Sequence, residues 1–135
     1  MLAVTNAAEQ IVEAGATVVF NQVTLKACCS ESFQSLQNAI RLNRNAIYIV
    51  DFEANITGAT AATAVELSIA VNGTPIPASR VTAVPAAAGD LSSVSRRIPI
   101  YNACNETLSI SVTNTGTTPV TIAANPILFV DPRHA

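Results

Sequence analysis

Asn45-Ala-Ile-Tyr-Ile-Val-Asp-Phe-Glu-Ala-Asn-Ile56 decides the fold. Tyr48, Val50, Phe52, Ala54 and Ile56 are apolar, and Asp51, Glu53 and Asn55 fall on the intervening positions. Successive side chains on a strand take opposite faces, so this stretch predicts a central strand with one buried and one wet face. Two of the six aromatic residues lie on its apolar side, marking Tyr48, Val50 and Phe52 as core.

The same period of two recurs on both sides of this stretch. Val65, Leu67, Ile69 and Val71 alternate with Glu66, Ser68, Ala70 and Asn72, which predicts a half-buried strand. Asn72-Gly73 then supplies two residues that tolerate positive φ, a hairpin signal. Pro75 and Pro77 assign the returning segment through Val81–Val84 to a sheet edge. Leu91 to Ile100 is extended, with Val94, Arg96, Ile98 and Ile100 on one parity and Pro99 marking an edge or bulge. Leu108, Ile110 and Val112 alternate with Ser109, Ser111 and Thr113. Val120 and Ile122 form a short strand, and Ile127–Val130 reads as buried on both faces.

Upstream, residues 1–15 read as an N-terminal arm or edge strand, closed by Gly15, leaving 16–135 as the main domain. Thr17–Leu25 switches parity near Asn21-Gln22, the mark of a bulge or break. Phe33, Leu36 and Ile40 have helical spacing with Ser30 or Ser32 as caps. The β character of the other segments nevertheless favours a loop over 28–38, leading into a strand at Ala39–Leu42. The whole predicts a single-domain, all-β antiparallel jelly-roll sandwich of about eight to ten strands.

Half of the 135 residues are apolar, 12% are charged, and the mean hydropathy is +0.40. Small soluble domains carry about 25% charged residues. Part of this surface is therefore expected to be polar but uncharged, and part to be buried against copies of the same chain. A homotrimer is expected, with a large apolar interface formed by the strands around Val65–Val71 and Leu108–Val112 or their neighbours. The net charge of −2 and the scattered arginines give no basic stripe for nucleic acid. No run of about 18 apolar residues spans a bilayer. Met1–Ala16 lacks a basic leader and carries Glu9, Gln10 and Glu13, so the expected site of synthesis is the cytosol.

Catalytic, cofactor and metal sites are each expected to be absent. His134, the single histidine, sits one residue from the end and has no triad to join. Cys28, Cys29 and Cys104 are expected as thiols or one disulfide from Cys104 to the pair, dispensable for activity. Asp51, Glu53 and Asn55 could offer oxygens to a hard cation, but a solvated sheet face is the plainer reading. Sequons at Asn55, Asn72 and Asn105 are expected by chance in a chain rich in Asn and Thr. Arg96-Arg97 fits an interface ion pair or solubility.

Tyr48-Ile-Val50-Asp-Phe52, Val71-Asn-Gly-Thr-Pro75-Ile-Pro77 and the closing Ile127-Leu-Phe-Val130 resemble the C-terminal globular domain of the collagen-like glycoprotein of the bacterial spore exosporium. That domain belongs with the tumour necrosis factor and complement globular-head jelly rolls, which form tight trimers. The resemblance runs from about Val18 to Val130. Thr60–Ala64, Pro85–Leu91 with Val94-Ser95, and Val112–Val120 look like small proteins encoded in bacterial and prophage genomes. Gly-x-y repeats are absent, so no stalk is implied. The resemblance implies a trimeric, non-enzymatic structural protein that decorates a phage particle, as a head-decoration or head-fibre protein. It would be made in the host cytoplasm, carried on the virion surface, and bound to a capsid or other particle-surface protein. The alternatives are a surface module recognising a cell-surface ligand or glycan, and a spore-surface protein.

Overall fold

The computed structural model describes residues 1–27, 30–103 and 106–133. Thirteen strands follow in chain order: β1 (Leu2–Thr5), β2 (Gln10–Val12), β3 (Gln22–Lys26), β4 (Glu31–Gln34), β5 (Ala39–Leu42), β6 (Ala46–Thr57), β7 (Val65–Val71), β8 (Thr74–Pro75), β9 (Val81–Ala83), β10 (Ser92–Asn102), β11 (Leu108–Asn114), β12 (Val120–Ile122) and β13 (Ile127–Arg133). Among the described residues one 3-10 turn spans Pro77–Ser79. The strands form two antiparallel sheets facing each other, the jelly-roll sandwich expected from the alternation.

β6 organises the first sheet. Along one edge it carries β10 from Ala46↔Asn102 to Ile56↔Ser92. Along the other it carries β13 over Ile47–Glu53 and β12 at Ile56–Thr57. β1 then joins β13, β3 joins β1, and β2 closes the β12 side. The second sheet runs β4-β5-β11-β7, with β8 and β9 both on the outer edge of β7.

The core is the set of inward residues that the period of two selects. Tyr48, Val50, Phe52 and Ile56 from β6 meet Leu67 and Ile69 from β7, Ile110 and Val112 from β11, and Leu128 and Val130 from β13, all essentially inaccessible. The buried Tyr48 hydroxyl is shared between the Ser30 and Arg44 carbonyls, each at 3.2 Å. A buried phenol without partners would be costly, so this pair of acceptors is what lets a tyrosine occupy the core.

Several expectations shift. Residues 1–15, expected as an arm or edge strand, hold two strands. The apolar run Leu2-Ala3-Val4 is fully buried in β1, inside the sheet between β13 and β3, and β2 lies at an edge. The 28–38 stretch contains β4, hairpinned to β5 through a turn in which Asn38 takes φ 51°. Alternation of Glu31 and Phe33 inward with Ser32 and Gln34 outward overrides the helical spacing, and Leu36, the residue that spacing relied on, is 98% exposed. β13 is not buried on both faces, since Ile127 is 40% exposed. β7 is more enclosed than half-buried, with Ser68 and Ala70 covered as well. The proline-marked edges hold: β8 and β9 pair only with β7, and β10, with Pro99, pairs only with β6.

Candidate functional site

The outward residues of the two sheets differ in chemistry. On the second sheet they are Glu66, Ser68 and Ala70 from β7, Ser109, Ser111 and Thr113 from β11, and Arg41 from β5, a small and polar set. On the first sheet, the residues opposite the core positions of β6 pair in transverse rows. Ile47 lies between Tyr101 and Arg133, Ile49 between Pro99 and Asp131, and Asp51 between Arg97 and Phe129. The Asp51 row continues through Ala3 to Leu25. Tyr101 is 61% exposed, Ile47 48% and Leu25 43%, so this end of the face presents large apolar groups to solvent. A patch of this kind marks a contact surface more than a free one.

The strands expected to form the interface, β7 and β11, thus turn their apolar residues inward, and the exposed apolar residues belong to the neighbouring sheet. The period of two located both faces, but which sheet leaves its outer face uncovered is a tertiary property.

Two ion pairs cross the apolar rows. Arg97 Nε lies 3.6 Å from Asp51 Oδ2, and Arg133 Nε lies 3.7 Å from Asp131 Oδ2. In both the carboxylate is mostly covered and the guanidinium mostly exposed, so each contributes little in water. The Arg96-Arg97 pair is split by the pleat. Arg97 meets Asp51 on the outer face, while Arg96 Nε donates to the Ala78 carbonyl at 3.0 Å and ties β10 to the 3-10 turn.

At the far end of β6 the same outer face becomes polar. Glu53 lies between Ser95 and Ile127, and Asn55 lies opposite Ser93. Ser93 Oγ donates to Asn55 Oδ1 at 2.7 Å. With Asn125 these residues line a trough of about 390 Å³. Asp51, Glu53 and Asn55 do share one face, as their alternation requires, but Asp51 is engaged by Arg97 and Asn55 by Ser93. Among the described residues no three His, Cys, Asp or Glu side chains come together as a metal site. Ser93, Ser95 and Asn125 reach this place only through the β6–β10 ladder and the turn into β13. The shared face of Glu53 and Asn55 was legible in the sequence; the serines and Asn125 that complete the trough were not.

Asn72 of the second sequon sits in the β7–β8 hairpin with its Oδ1 accepting from the Ser109 N–H at 2.9 Å. Cys28, Cys29, Cys104, Asn105 and His134 lie outside the described residues. At the end of the sandwich away from the trough, Glu31 faces inward and takes the Met1 ammonium at 2.8 Å. Beside it in sequence is Ser30, and Asn102 reaches the Leu42 and Arg44 carbonyls. Ser30 Oγ, Glu31 Oε1 and Asn102 Oδ1 have no hydrogen-bond partner among the described residues. These three residues are sealed from solvent and present no surface to a ligand.

No protein-family model matches the chain. No curated protein matches it either, so the likenesses to the exosporium glycoprotein domain and to prophage-encoded proteins rest on the quoted residues alone. Among solved structures, Eiger TNF from S. frugiperda superposes with a TM-score of 0.71 at 9% identity, covering 99% of this chain and 92% of that one. At that identity the likeness speaks to the fold alone. In fold, the chain is a tumour-necrosis-factor-like jelly roll.

Proposed function

We propose that this chain is a non-enzymatic structural module that works as a homotrimer on the surface of a phage particle, as a head-decoration or head-fibre protein. The observation that carries the assembly part is the contrast between the two outer faces: Ile47, Ile49, Pro99, Tyr101, Phe129 and Leu25, with two ion pairs among them, on one sheet, and mostly small serines, threonines and alanine on the other. Covering an exposed apolar face is favourable in proportion to the area removed from water. A closed three-fold arrangement covers three such faces without leaving an open surface that would polymerise. The low charged fraction, 12%, fits a chain that hides part of its surface in this way.

The particle-surface part is supported by the resemblance of the Thr60–Ala64, Pro85–Leu91 and Val112–Val120 stretches to small prophage-encoded proteins. Sedimentation at micromolar concentration tests the assembly: the expected species has three times the 14.0 kDa chain mass. A folded monomer overturns the proposal. Co-sedimentation with capsids tests the location, and binding to host cells instead of capsids would replace it with a receptor-binding role.

A further inference from the structure

The geometry points to a saccharide-binding site in the trough at the polar end of the first sheet's outer face. Its volume of about 390 Å³ falls within the range of small-molecule sites, about 300–1,000 Å³. Its hydrogen-bonding side chains are Glu53, Asn55, Ser93, Ser95 and Asn125, and Ile127 gives it an apolar wall. The Ser93 hydroxyl, by donating to Asn55 Oδ1, fixes that amide and leaves its NH₂ group to donate outward. Glu53 stands between Ser95 and Ile127 and takes part in no ion pair among the described residues, so its carboxylate is an acceptor available to a guest. Asn125 is held in the left-handed region, φ 68°, with its N–H on the Asn6 carbonyl, which sets the backbone beside the trough.

The lining, completed by Ala54 and Val94, therefore mixes neutral donors, neutral acceptors, one carboxylate and a few aliphatic groups. An anionic guest meets no cationic side chain there and is repelled by Glu53. A hard cation finds a single carboxylate, too few charged oxygens for a dedicated site. An apolar guest would strip water from five polar side chains without replacing their hydrogen bonds. A sugar ring fits the set, since its hydroxyls both donate and accept, and its C–H face can lie on Ile127. The trough is shallow, so a monosaccharide is expected to bind with a dissociation constant on the order of 1 mM. The site lies at the opposite end of β6 from Ile47 and Tyr101, and a single chain supplies all of its lining.

The test is a titration of the ¹⁵N-labelled protein with D-glucose, D-galactose and N-acetyl-D-glucosamine. Saturable shifts at the amides of Glu53, Asn55, Ser93 and Ser95 with at least one sugar are expected. They should weaken about tenfold in Glu53→Gln, an exposed position where the fold is not at stake, and again in Ser95→Ala. An absence of saturable shifts at the trough with all three sugars overturns the proposal. So do trough shifts that persist undiminished in the Glu53→Gln/Ser95→Ala double variant.

Discussion

Phe52 shows how much one residue carries. It is 1% exposed, flanked on its own sheet by Leu128 and Arg96, and packed in the central cluster. Removing a buried phenyl leaves a cavity that the interlocked strands cannot collapse, so Phe52→Ala should lower unfolding stability by about 3–5 kcal/mol, read from urea midpoints. Its role was legible because its neighbours alternate. Tyr48 is a different case. Burial raises its phenol above the ordinary value of 10.0, and the Glu31 carboxylate adds to that. The folded state therefore favours the neutral phenol. The associated stability is complete below pH 10 and is lost as pH rises through the folded-state value. Denaturation curves from pH 8 upward should show this decline, and the decline should be shallower in Tyr48→Phe. The period of two could place Tyr48 inside, but nothing local revealed that Ser30 and Arg44 carbonyls would receive its hydroxyl.

At the scale of elements, the residues that break strands were as informative as those that form them. Pro75, Pro77 and Pro99 fixed which segments could pair on one side only. Asn72 and Gly73 have φ of 51° and 81°, the geometry that turns β7 back into β8. No atom crowds Gly73, so its requirement is conformational alone. Gly73→Ala should destabilise by about 1–2 kcal/mol, the cost of a left-handed conformation for a residue with a Cβ, measured by thermal or urea unfolding. The short elements were harder to read. β4 was hidden behind a helical coincidence of Phe33, Leu36 and Ile40, and β1 was too short for a pattern to show. The turn at Asn114 is tied by side-chain hydrogen bonds. Its Nδ2 reaches the Val12 and Thr118 carbonyls, and its Oδ1 accepts from the Gly116 N–H. Only one of those three partners lies outside the turn, yet it sits in β2, far away in sequence.

For the whole molecule, the sandwich follows from the strand pattern, whereas the site depends on which outer face stays uncovered, and that needed the pairing. If the apolar rows assemble, a charge placed among them should act on association and leave the fold intact. Ile49→Glu, between Pro99 and Asp131, should shift the sedimenting species to the monomer while the far-ultraviolet dichroism of the sheets is retained. The pairing also sets an order of events during synthesis. Leu2 faces Val130 and Thr5 faces Ile127, so β1 lies beside β13, a strand more than a hundred residues away in sequence. β6 likewise waits for β13 along most of one edge. A chain emerging from the ribosome can close the hairpins β4–β5 and β7–β8 early, because their partners are neighbours. The central ladder must wait for nearly the entire chain, with the loop-closure entropy that such separations impose. Until then the edges of β6 and β1 stand open beside apolar side chains. The nascent protein is thus most exposed to mispairing with other chains in the interval before β13 is released.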